Sequence, residues 1–143
     1  MLNYLKEKLK AYITVNNPDL LVKLQNDNDL NGYLERKVSA GIRLILDLLA
    51  EDKPGYVIEE LVMQQMTADL RPSRYNYILE ILKGRFETHY QRLSEIGMLS
   101  YVTLEILTHS GDVFDQQGFS EKNKENACLE ALIRIRIRDY FIQ

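Results

Sequence analysis

Leu2, Leu5, Leu9, Tyr12 and Ile13 recur at three- and four-residue intervals with Lys6, Glu7 and Lys10 between them, and this spacing predicts an amphipathic helix from residue 2 to about 15. Asn16 and Asn17 end it. Asn17 then serves as the cap of a short helix with Pro18 at its first position, Asp19 near the positive end of the helix dipole, and Leu20, Leu21 and Leu24 facing inward. The polar run Gln25 to Asp29 closes that helix. From Leu30 to Ala50 the apolar set includes Leu34, Val38, Ile42, Leu44, Ile45, Leu46, Leu48 and Leu49, and only a thin polar stripe of Arg43, Asp47 and Glu51 remains. The pattern predicts a central helix surrounded by protein, with Gly41 at a close helix crossing.

Lys53, Pro54 and Gly55 form a turn, after which Val57, Ile58, Leu61, Val62, Met66 and Leu70 continue the helical period until Arg71 and Pro72 break it. Ser73 caps a helix carrying Tyr75, Ile78, Leu79, Leu82, Phe86, Tyr90 and Leu93, and Gly97 separates it from a segment running from Met98 to about Thr108. A last helix is expected from Ser120, with Cys128, Leu129, Leu132, Ile133, Ile137, Tyr140 and Phe141 on one face. Ile133 to Arg138 alternates isoleucine with arginine, and Tyr101 to Leu107 alternates almost as well, as two half-buried strands would. The helix is preferred because the apolar spacing extends from Cys128 to Phe141, and Glu130, Arg134 and Arg138 fall at i,i+4.

Each of the three prolines, Pro18, Pro54 and Pro72, stands just ahead of such a run, in keeping with a residue tolerated at helix starts and excluded from helix interiors. The expected fold is all-α, an irregular, orthogonal bundle of six or seven helices with Leu34 to Leu49 at its centre. No linker interrupts the pattern, so residues 1–143 read as a single helical domain.

Composition narrows the partners. A hydrophobic fraction of 45% with 27% charged residues is that of an ordinary globular chain, and a net charge of -3 argues against wrapping nucleic acid by bulk charge. The single Cys128 forms no intrachain disulfide and no zinc cluster. Together with an N-terminal stretch unlike a secretory signal and no apolar run near the ~18 residues of a membrane span, it points to the reducing cytoplasm, away from any membrane.

Chemical signatures are sparse. Glu105 and His109 make half a metal site, and no third ligand accompanies them. His109, Ser110 and Asp112 include the residue types of a hydrolase triad, but triads are assembled by folding rather than adjacency. The segment reads instead as a helix end at Thr108 to Ser110, a Gly111 turn, and Asp112 capping a short stretch from Val113 to Gln117. Cys128 falls on an apolar face as an inert buried thiol, and Glu59 and Glu60 point in different directions. No catalytic residue, metal, cofactor or small-molecule substrate is expected.

The surface clue is arginine. Arg71, Arg74, Lys83, Arg85 and Arg92 lie among Tyr75, Tyr77 and Tyr90, interrupted by Asp69, Glu80 and Glu87, a pattern read as a solvated face in preference to a nucleic-acid site. Arg134 and Arg138 share a helix face while Arg136 points elsewhere, with Glu130 and Asp139 to neutralise them. Arg134, Arg136, Arg138, Arg71 and Arg74 are the candidate interaction surface. Nine tyrosines, favoured at interfaces, suggest a non-enzymatic protein-binding or self-association module, with homodimerisation the simplest form. The alternative is a nucleic-acid accessory factor using Arg71, Arg74 and Arg85 or the Arg134 to Arg138 cluster.

The opening helix with Asn17, Pro18, Asp19 and Leu20, the long central helix, Glu59 to Met66 followed by Ser73, Arg74 and Tyr75, and Asp112, Val113 and Phe114 before a closing helix resemble the bacteroidete family catalogued as domain of unknown function number 1896. The resemblance covers nearly the whole chain and rests on apolar spacing and short patches. It implies an intracellular, all-helical protein found in genomic settings that include mobile elements, with no activity and no functional residue to carry over. The arginine-rich closing helix departs from the acidic character of many members.

Overall fold

The computed structural model describes residues 2–142, whose regular elements are all helices, with no strand among them. The chain folds into two compact units that divide between Arg71 and Pro72, where the sequence had read as one domain. The first contains α1 (Leu2–Asn16), α2 (Pro18–Asn26), α3 (Leu30–Ala50) and α4 (Gly55–Met66), followed by a 3-10 turn, Ala68–Leu70. The second contains α5 (Arg74–Arg85), α6 (Glu87–Glu95), α7 (Leu99–Thr108), α8 (Gly111–Gln117) and α9 (Ala127–Phe141).

Nine α-helices are thus described, where six or seven were expected. The extra ones arise because Phe86, at φ -133° and ψ 48°, leaves helical geometry and splits the 73–93 segment into α5 and α6, and because the 111–117 stretch is a helix in its own right.

In the first unit, Leu5, Leu9 and Ile13 of α1 pack with Leu34, Val38, Ile45 and Leu48 of α3 and with Ile58, Val62 and Met66 of α4. Their three- and four-residue spacing follows from 3.6 residues per turn. Gly41 lies at the crossing of α3 and α4: a Cβ there would sit 3.3 Å from Cγ1 of Val62. The expectation of a helix surrounded by protein is corrected, because α3 buries one face only and exposes Leu46 and Leu49. Asn17 occupies the N-cap position of α2, but its side chain makes no cap bond. Its Nδ2 donates instead to the Leu70 carbonyl at 3.3 Å.

The second unit closes around Phe114 of α8, whose ring meets Tyr77 and Phe119 edge-on at 5.7 and 5.0 Å. Ile78 and Leu82 of α5, Ile106 of α7 and Leu129, Ile133 and Ile137 of α9 complete its core. Ser73 caps α5, its Oγ accepting the Asn76 N–H at 3.0 Å. Residues Ile133 to Arg138 lie inside α9 and Tyr101 to Leu107 inside α7, so both alternating segments are helical.

The start of the last helix differs from the sequence reading. Ser120 does not cap α9, because Asn123 turns the chain first: its Oδ1 accepts the Ser120 N–H at 2.7 Å and its Nδ2 donates to the Gln117 and Gly118 carbonyls. Asparagine competes in this way with helical backbone bonding. Asn126 is the cap, accepting the Cys128 and Leu129 N–H groups at 2.9 and 3.1 Å. Among the described residues, no helix is long and apolar enough to cross a membrane.

Candidate interaction surfaces

The five arginines singled out in the sequence divide into anchors and open cations. Arg136 donates through Nη1 and Nη2 to the two Asp112 oxygens at 2.9 and 2.8 Å, and Nη1 also reaches the His109 carbonyl at 2.8 Å. The hydrogen-bonded guanidinium holds the Asp112 carboxyl below its ordinary value, and the Asp112 carboxylate raises Arg136 in turn. Arg74 donates to Asp115 Oδ1 at 2.7 Å and lies over the Phe114 ring, 5.2 Å from its centroid. Both are structural cross-links. Asp112 therefore does not cap α8, which begins at Gly111 with Ser110 in the N-cap position.

Arg134 and Arg138 are different. Both are exposed, and among the described residues neither makes an ion pair. They line an open groove of about 670 Å³ with Arg85, Gly84, Phe86, Ala131 and Ile135. Arg85 joins this pair because α5 packs on α9, a long-range relation that no sequence signal carries. Its Nε lies 3.8 Å from Glu130 Oε1.

Arg71 belongs to the first unit and to another groove, of about 780 Å³, lined by Ala11, Tyr12 and Val15 of α1 and by Tyr56, Glu60, Met63, Gln64 and Thr67 on and after α4. The two helices run side by side in the same direction. Near their starts Lys8 and the Tyr4 hydroxyl bond Glu59, and beyond their ends Asn17 bonds Leu70. The Lys8 hydrogen bond lowers the Glu59 carboxyl, and Glu59 raises Lys8.

As their adjacency on one helix predicts, Glu59 and Glu60 diverge. Glu60 makes no ion pair among the described residues, and Arg71 donates only to the Gln64 and Thr67 carbonyls. Val15 and Tyr56 are 67% and 74% exposed, so the groove carries apolar surface that nothing in its own unit covers. Tyr56 escapes the sequence reading, and Glu60 enters it only as a carboxylate diverging from Glu59, since an exposed tyrosine one turn from a glutamate has no distinctive spacing.

The remaining chemical groups stay apart. Ser110 is buried and its Oγ has no hydrogen-bond partner among the described residues, while Asp112 is held by Arg136, so the His109, Ser110 and Asp112 side chains do not form a relay. His109 lies 3.8 Å from Glu105, and the His89 ring stacks on Phe141 at 4.0 Å. Cys128, expected on the buried face of α9, is exposed, because the buried face is Leu129, Ile133 and Ile137. Among the described residues no three of His, Cys, Asp and Glu are grouped to hold a metal ion. No family model, curated protein or solved structure matches the chain.

Proposed function

We propose that the protein is a non-enzymatic self-association module whose α1 and α4 face pairs with the same face of a second copy. The observation that carries this reading is the polarity of the groove. Its floor is apolar, and it carries two charges of opposite sign, Glu60 on α4 and Arg71 beyond the helix end, neither in an ion pair among the described residues. A two-fold interface brings residue i against j and j against i, so an antiparallel pairing sets Glu60 opposite Arg71 of the second copy, twice. In that pairing the exposed Val15, Tyr56 and the half-buried Met63 supply the apolar contact, and removing apolar area from water stabilises by about 25 cal/mol per Å².

The nucleic-acid alternative draws less support. Arg74 and Arg136 are committed to Asp115 and Asp112, which removes two of the cations it requires. Sedimentation equilibrium with charge exchange tests the pairing. Glu60→Arg and Arg71→Glu should each weaken self-association on the order of tenfold. Mixing the two variants should restore a heterodimer, since every facing charge is again opposite. A wild-type protein that stays monomeric at all concentrations, or variants that associate unchanged, sinks the proposal.

A further inference from the structure

We infer that the arginine groove between α5 and α9 docks an acidic amphipathic helix of a protein partner. Its lining carries three guanidiniums, Arg85, Arg134 and Arg138, and no carboxylate. Glu130 reaches Arg85 only at 3.8 Å, from outside that lining, and among the described residues neither Arg134 nor Arg138 makes an ion pair. Because Arg134 and Arg138 are one helical turn apart, they match two carboxylates at i,i+4 on a facing helix, and the planar fork of each guanidinium suits a carboxylate's two oxygens.

The floor decides the class of partner. Ala131, Ile135 and Phe86 supply apolar contact between the cations, with Ile135 42% exposed, which matches the leucine-type anchors of a helix laid in a groove. A single-stranded nucleic acid needs aromatic faces open for stacking. Here Phe86, the one aromatic side chain of the lining, is half-buried 6.2 Å from the Phe141 ring, and His89, stacked by one face on Phe141 at 4.0 Å, lies outside the lining, so no series of open aromatic faces runs between the arginines. The net charge of -3 further opposes a phosphate backbone, whereas a short acidic helix meets only the local cations within a screening length of about 8 Å.

The test uses the full chain carrying Glu60→Arg, so that any self-association through the first groove is suppressed and failure of one reading is separable from failure of the other. The probe is a synthetic helical peptide with leucines at i, i+3 and i+7 and glutamates at i,i+4, titrated by nuclear magnetic resonance. Controls are a scrambled peptide of the same composition, a lysine-for-glutamate peptide and a single-stranded oligonucleotide. The acidic helix should bind with amide shifts confined to residues 84–86 and 131–138, and Arg134→Glu with Arg138→Glu should weaken it at least about tenfold. Ile135→Asp should weaken it as well, with an unchanged circular-dichroism melt showing that each variant folds. Absence of binding, equal binding of the scrambled peptide, shifts elsewhere on the protein, or tighter binding of the oligonucleotide overturns the inference.

Discussion

Arg136 of α9 donates to both oxygens of Asp112 in α8, at 2.9 and 2.8 Å, and through the same Nη1 to the carbonyl of His109 just past α7. One side chain thereby ties three helices of the second unit. The Asp112 carboxyl is held below its ordinary value of 3.8 by that guanidinium, so the pair's contribution to stability is fully present above 3.8 and is lost as pH falls through the lower folded value. Asp112→Asn should therefore lower the melting temperature at neutral pH and flatten its further fall below about pH 4. Parallel melting curves against pH for the two proteins would show that the pair contributes nothing.

Ser110 inverts the usual effect of removing a capping serine. Replacing an N-cap serine by alanine ordinarily destabilises by about 1 kcal/mol. Here Oγ is buried without a partner among the described residues, and it is the backbone carbonyl of Ser110 that accepts the Val113 N–H at 3.0 Å. Leaving a buried hydroxyl unsatisfied costs about 1 to 3 kcal/mol, so Ser110→Ala should leave stability unchanged or raise it. Urea denaturation is the check, and a loss of about 1 kcal/mol or more would mean the hydroxyl is bonded after all.

Local features were legible because local chemistry decides them. Ser73 caps α5, Gly41 sits at the α3 and α4 crossing, and Arg134 and Arg138 share a face, each as spacing alone predicts. The start of α9 was missed because Asn123 and Asn126 outcompete Ser120, a contest between several polar side chains that no single preference ranks. The anchoring of Arg136 is not legible in the sequence because its partner is 24 residues away, and Arg85 joins Arg134 and Arg138 only through helix packing. The division at Pro72 has no linker to announce it.

The exposure of Cys128 has a chemical readout. Leu129, Ile133 and Ile137 form the buried face of α9, and Cys128, one position earlier, is rotated about 100° away from it. The native protein should react with one equivalent of a chromogenic disulfide reagent without denaturant. A thiol that reacts only after urea is added would place Cys128 in the core.

Neighbouring residues on α3 give the sharpest test of the first unit. Ile45 is 5% exposed and packs with the α1 and α4 side chains, whereas Leu46, the next residue, is 57% exposed. Truncating a buried isoleucine to alanine removes its burial and leaves a cavity, which together cost about 2 to 5 kcal/mol. Truncating a side chain already in water removes neither, so Leu46→Ala should change stability by less than about 0.5 kcal/mol. In a chain of this size each kcal/mol moves the melting temperature by about 2 to 4 °C, so the two single variants should be well resolved by calorimetry. Equal melting temperatures for the two, or a larger loss at Leu46, would mean that α3 is rotated by about 100° from the orientation that buries Ile45 against α1 and α4.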